Sequence, residues 1–260
     1  MIFLKLGGSL ITDKTGVEAI RQDVLARVAA EIAAARATRA GRLVIGHGGG
    51  SFGHVAAARF GTRQGVQTAV QWHGFAEVHA AMVRLNRLVV EALLAAGVPA
   101  LGLAPSALAL CENGSITHIA SQPVRAALDA GLVPVIFGDV AFDAAQGGTI
   151  VSTEEVMMAL AAALRPSWLL LAGEVPGVLD SQGRVVAAIS QDNYDEVAAA
   201  LGGSRGTDVT GGMAAKVHSM LRLVAEHPHL AIRIFSGLEE GLVTRLVVDG
   251  ATAVGTLITT

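Results

Sequence analysis

The chain has 260 residues, 52% apolar and 16% charged, with a net charge of −3. That is enough chain for a large core, too apolar for a disordered segment and too acidic for a broad nucleic-acid surface. A single cysteine, Cys111, excludes an internal disulfide. With no secretion signal read at the start and no 18-residue apolar run free of charges or breakers, a cytoplasmic protein that binds neither membrane nor nucleic acid is expected.

Short apolar runs at residues 2–6, 42–46, 100–103, 133–137, 168–172, 231–235 and 254–258 predict strands. Most lack polar alternation, as strands covered on both faces do. Helical spacing predicts helices over 23–38, 69–96, 153–164, 193–201, 213–225 and 239–248. The alternation implies βαβ units and an α/β fold, a three-layer αβα sandwich with a largely parallel central sheet. Turns at Glu112-Asn113-Gly114, Gln146-Gly147-Gly148 and Asp180-Ser181-Gln182-Gly183 predict three hairpin-like interruptions. No repeat or low-complexity linker is found. Residues 1–260 are read as one domain, with a functional division near residue 165.

Of 19 basic residues only Lys5, Lys14 and Lys216 are lysines, leaving 16 arginines. All three sit beside Gly, Ser or Thr in glycine-rich segments. Lys5-Leu6-Gly7-Gly8-Ser9 follows a strand, where glycines let backbone N–H groups approach an anion and the lysine adds a point charge. It is not the Walker pattern. Gly46-His47-Gly48-Gly49-Gly50-Ser51-Phe52-Gly53-His54 has five glycines in eight residues from Gly46 to Gly53. Such a loop is costly to order and reads as a phosphate cradle, with His54 at its end and His47 as a buttress. Thr210-Gly211-Gly212-Met213-Ala214-Ala215-Lys216 opens a helix that can receive phosphate. The remaining histidines, His73, His79, His118, His218, His227 and His229, are read as structural. Neither a C-x-x-C nor an H-E-x-x-H pattern occurs, and no metal-ligand set is expected.

These three glycine-rich segments resemble, in their order along the chain, those of the amino acid kinase superfamily. Ile11-Thr12-Asp13-Lys14 and the Gly48–His54 stretch are most similar to the isopentenyl phosphate kinase family, with fosfomycin-type phosphonate kinases as the rival. A non-catalytic regulatory module of the same fold is a third reading. The resemblance implies an enzyme that transfers the γ-phosphoryl group of ATP, with Mg²⁺, to isopentenyl phosphate, and commonly a homodimer. Residues 1–165 would bind the acceptor and 166–260 the ATP. Lys5, Lys14, His54, Lys216 and Glu154 would carry the chemistry. Gly7, Gly8, Ser9, Gly50, Glu174, Gly177, Gly211, Gly212 and Lys216 would bind nucleotide. Gly49, Gly50, His54 and Gly138 would hold the acceptor phosphate. Ala76, Met82 and Val83, on the helix after the histidine loop, are expected to line an apolar tail pocket. Two departures from the family pattern stand out: Ser152-Thr153-Glu154-Glu155, with glutamate for the usual aspartate, and Gly173-Glu174-Val175-Pro176-Gly177.

Overall fold

The structure, a computed structural model, describes residues 1–13, 15–201 and 212–260, and the side chains of these except 54–56, 199–201 and 212. In chain order the first elements are β1 (Ile2–Leu6), α1 (Gly8–Ile11), α2 (Gln22–Thr38), β2 (Leu43–His47), α3 (Gly50–Phe60) and α4 (Ala69–Ala95). Then follow β3 (Ala100–Gly102), β4 (Ala109–Glu112), β5 (Ser115–Ile119), α5 (Gln122–Asp129), β6 (Val133–Phe137), β7 (Asp139–Asp143), β8 (Gly147–Val151) and α6 (Thr153–Leu164). The chain ends with β9 (Trp168–Gly173), β10 (Ala188–Ile189), α7 (Tyr194–Leu201), α8 (Gly212–Glu226), β11 (Ala231–Ser236), α9 (Leu242–Val248) and β12 (Thr256–Ile258).

An eight-stranded sheet runs β10-β12-β11-β9-β1-β2-β6-β3, and every neighbouring pair is parallel except β11 with β12. The sheet crosses the division near residue 165 without a break, since β9 is hydrogen-bonded to β1. Both faces are covered. Phe3, Val44 and Leu169 pack on one face with Val156, Leu160, Val217 and Leu221 of α6 and α8. Leu4, Ile45 and Leu170 pack on the other with Ile32, Leu85, Val89 and Leu246 of α2, α4 and α9. These are the layers of an αβα sandwich.

Successive strand residues face opposite sides, so Lys5 shares the face of Phe3 and points toward α6 and α8. Five turns leave the carboxyl ends of neighbouring parallel strands β11, β9, β1, β2 and β6. That edge, where chain direction across the sheet reverses, is where open α/β sheets place ligands.

Three features differ from the sequence reading. The Gly50–Phe60 segment is helix rather than open loop. A further helix, α5, follows Ser121. The predicted hairpins β4–β5 and β7–β8 join through a parallel β4–β7 pairing into one four-stranded sheet, β5-β4-β7-β8. No described helix is long and apolar enough to cross a membrane.

Candidate active site

Charge gathers at one end of α6. Ser152 and Glu155 form a capping box that fixes its first turn. Glu155 is held further by Arg63, whose guanidinium donates to both carboxylate oxygens at 2.6 and 3.1 Å. The next residue back, Glu154, is thereby aimed at β1, where its carboxylate pairs with the Lys5 ammonium. Both side chains are mostly enclosed, 14% exposed for Lys5 and 23% for Glu154. Burial pushes the Glu154 carboxyl up, but the charge and hydrogen bond of Lys5 and the charge of Lys216 outweigh it and hold it below its ordinary value. Lys216, half-buried on α8, thus belongs to the same electrostatic cluster.

A second wall is made of glycine. The turn after β1 lies against the start of α3 so closely that a Cβ on Gly48 would stand 2.7 Å from the Gly8 nitrogen. Gly50 has φ +48, and a Cβ there would stand 2.7 Å from the Gly8 carbonyl oxygen and overlap the Thr12 hydroxyl. The two glycine-rich turns are one seam. At the start of α3, the Ser51 N–H donates to Thr12 Oγ1 and those of Phe52 and Gly53 donate to the Gly49 carbonyl. The N–H groups of Gly49 and Gly50 precede the first intrahelical bonds, and their position suits an anion.

Beneath both walls lies His47, fully buried and stacked on Phe137 with ring centroids 5.5 Å apart. The Asn86 amide donates to its Nε2 at 3.1 Å, so Nδ1 carries the proton and faces the Gly48 carbonyl at 3.2 Å. Burial lowers its pKa to about 4, so it is neutral near pH 7. Thr153 Oγ1 donates to the His47 carbonyl at 2.6 Å, joining β2 to α6. His47 is a buttress, as its sequence position suggests.

Lys5, Glu154 and Lys216 are brought together, and Gly8 and Gly50 meet at the adjoining seam, with Gly7 and Ser9 flanking Gly8 in sequence and Gly49 resting on Met82. Gly138 abuts the first turn of α6, its missing Cβ 3.4 Å from the Thr153 nitrogen. Glu174, after β9, pairs with Arg21 at 2.9 Å, both about one-third exposed. Gly177 is buried, and its missing Cβ lets Thr256 approach, where Thr256 Oγ1 accepts the Val178 N–H at 2.8 Å. Ala76 and Val83 lie on α4. They are exposed, because on α4 they lie about a quarter-turn round from the buried stripe Phe75, Val78, Met82 and Leu85. Met82 is buried, with its sulfur under Gly49 and Gly53. Lys14, Gly211 and the side chain of His54 lie outside the described residues, while Gly212 opens α8.

Sequence reasoning missed Asp139. Fully buried directly after Gly138, it accepts hydrogen bonds from His79 Nδ1 at 3.0 Å and the Ser106 N–H at 3.1 Å. A charged residue at the end of an apolar strand, in Phe137-Gly138-Asp139, was the available signal. Among the described residues no three His, Cys, Asp or Glu side chains stand together to hold a metal ion.

An αβα sandwich with a lysine-rich cluster and a glycine seam at the carboxyl edge of its sheet defines a class. Residues 1–236 match the model of the amino acid kinase family, and the chain belongs to it. The chain is 41% identical over 227 residues to the isopentenyl phosphate kinase of Haloferax volcanii, across 86% of this chain and 89% of that protein. To the isopentenyl phosphate kinase of Methanothermobacter thermautotrophicus it is 35% identical over 237 residues, 86% of each. A solved structure of isopentenyl phosphate kinase matches with a TM-score of 0.83 at 31% identity, covering 99% of this chain and 100% of that one.

Proposed function

We propose that this chain is an ATP-dependent kinase that phosphorylates isopentenyl phosphate, giving isopentenyl diphosphate and ADP. The observation that carries the reading is the meeting of Lys5, Glu154 and Lys216 with a glycine seam at one sheet edge. The curated relatives of this length that carry the name isopentenyl phosphate kinase support the choice of acceptor.

A phosphate monoester is already a nucleophile and needs no strong base. An oxygen of the acceptor phosphate attacks the γ-phosphorus, the bond to the β–γ bridging oxygen breaks, and ADP leaves with that electron pair. The difficulty is bringing two polyanions together. Two unit charges about 4 Å apart interact by roughly 4 kcal/mol at an effective dielectric of 20. Lys5 would stabilise the moving group and Lys216 would hold the ATP phosphates, with Glu154 orienting Lys5. Lys14 and His54 take the roles the family resemblance gives them: Lys14 over the moving group, His54 donating to the acceptor phosphate. Gly7, Gly8 and Ser9 serve the nucleotide, and Gly49, Gly50 and Gly138 the acceptor. In this division residues 1–165 bind the acceptor and 166–260 the ATP.

The donor set suits phosphates rather than a resident metal, because Glu154, the carboxylate among the charged groups, is engaged by Lys5. Mg²⁺ would arrive on the ATP phosphates with its waters, and no step is assigned to it. A homodimer in the cytoplasm remains part of this reading.

The test is incubation with ATP, Mg²⁺ and isopentenyl phosphate, with ³¹P spectroscopy following diphosphate and ADP. Stoichiometric isopentenyl diphosphate is expected. ADP formation with fosfomycin but none with isopentenyl phosphate would overturn the reading.

A further inference from the structure

Thr12 ends the short helix α1 and is fully buried. Its hydroxyl donates to the Gly8 carbonyl at 2.8 Å and accepts the Ser51 N–H at 3.0 Å. One oxygen therefore bonds the turn after β1 to the first turn of α3. The ties continue outward. The Ser51 hydroxyl accepts the Ala19 N–H at 3.1 Å, and the Ser51 carbonyl accepts the Glu18 N–H at 3.4 Å. Thr12 also bridges Ile20 in an antiparallel pair. The hydroxyl sits at the point where three segments meet: the nucleotide-side turn, the acceptor-side helix and the excursion between Thr12 and Ile20.

We infer that Thr12 is a positioning residue that sets the spacing between the two phosphate sites. The inference rests on the proposed reading of those sites as donor and acceptor. Glycine contacts limit how closely the two turns can approach, and the Gly48 N–H, donating to the Leu6 carbonyl at 2.9 Å beside the Leu6–His47 pairing of β1 and β2, ties their bases, but neither holds Gly8 to Ser51 further out. Van der Waals contact between backbones is non-directional and shallow. A hydroxyl bonded on both sides adds a directional restraint in that outer part of the seam, since separation there would break a hydrogen bond and leave a buried N–H unpartnered. In-line transfer needs the reacting atoms about 3–3.5 Å apart, and a displacement of about 1 Å costs on the order of 100-fold in rate. Each turn keeps its own N–H groups without Thr12, so each substrate alone should still bind. The hydroxyl matters when both are present.

The experiment compares Thr12→Val, which keeps the shape and removes the hydroxyl, with Thr12→Ser, which keeps the hydroxyl. Melting temperatures are measured first; should the valine variant not fold, Thr12→Cys, a weak donor and acceptor on a similar frame, replaces it. Expected is a fall in kcat on the order of 100-fold for Thr12→Val, with both KM values within about threefold of the parent, and near-parental kcat for Thr12→Ser. A second readout needs no acceptor. Inorganic tripolyphosphate can touch both turns and orthophosphate only one. Calorimetry should show tripolyphosphate weakened by about tenfold or more in Thr12→Val and orthophosphate changed less than about twofold. Parental kcat and tripolyphosphate affinity in Thr12→Val, or a loss in Thr12→Ser as deep as in Thr12→Val, would overturn the inference. If the parent protein fails to phosphorylate isopentenyl phosphate, the proposed function falls, and the tripolyphosphate comparison still decides the role of Thr12.

Discussion

Lys5, Glu154 and Lys216 build one wall of the site from charge, whereas Gly8, Gly48 and Gly50 build the other from missing atoms. The charged wall is carried by three elements distant in sequence, and each contributes one long side chain that can adjust. The glycine wall is backbone against backbone, with no side chain to yield. The contrast predicts different failures: charge changes should damage the rate far more than the fold, and added atoms at the seam should damage both.

Lys5 gives the largest effect. Lys5→Met removes the ammonium nearest Glu154 and should lower kcat on the order of 1,000-fold, about 4 kcal/mol of transition-state stabilisation, with a far smaller shift in melting temperature. Steady-state kinetics beside thermal melts checks this, and equal loss in both would break the comparison. Gly50→Ala should do the reverse in proportion. A strained φ of +48 and overlap with Thr12 Oγ1 together cost about 2–5 kcal/mol of stability. Chemical denaturation should show a lowered midpoint, and a midpoint like the parent's would show that the seam relaxes.

His47 extends the contrast to pH. Its folded pKa of about 4 lies below its ordinary 6.5, so between those values the unfolded chain binds more protons. The stability it confers is complete above pH 6.5 and drains away as pH falls toward 4, by roughly 3 kcal/mol in all. His47→Asn should flatten that part of the stability curve, measured by denaturant titration at several pH values. Glu154 acts in the same direction lower on the scale. Its lowered pKa means its contribution is present above 4.5 and lost as pH drops through the folded value. The stability gap between the parent and Glu154→Gln should therefore close on acidification, and a gap that widens would contradict the ion pair.

How much of this the sequence displays depends on how local the cause is. Lys5 was legible because lysine is rare in this chain and its place before two glycines marks the strand end. The αβα layering was legible too: unalternating strands need cover on both faces. Helix α3 was not. Gly50 and Gly53 weigh against helix by propensity, and the helix forms because Gly53 admits the Met82 sulfur and Gly74 of α4 admits the Phe60 ring. The four-stranded sheet was half legible. Each hairpin has its turn residues, but the pairing of Leu110 with Phe142 and Cys111 with Asp143 joins segments about thirty residues apart with no local mark. At Gly177 the sequence alone does not separate a glycine that packs against Thr256 from one that a ligand requires.

The smallest predicted effect tests the tail pocket expected on α4. Ala76, Met82 and Val83 lie close in sequence, but at about 100° per residue Ala76 and Val83 turn away from Met82 toward the exposed side of α4. Ala76→Leu adds bulk outside the core, so stability should change by less than about 0.5 kcal/mol and acceptor chain-length preference should not move. Met82→Ala removes a side chain wedged beneath Gly49 and Gly53 and should cost about 2–5 kcal/mol, loosening the turn that presents those N–H groups. Rates with isopentenyl phosphate and longer prenyl monophosphates, taken with melts for both variants, decide the matter. A shift in preference from Ala76→Leu would mean that the exposed face of α4 meets the acceptor, and the glycine seam would then be only part of the acceptor site.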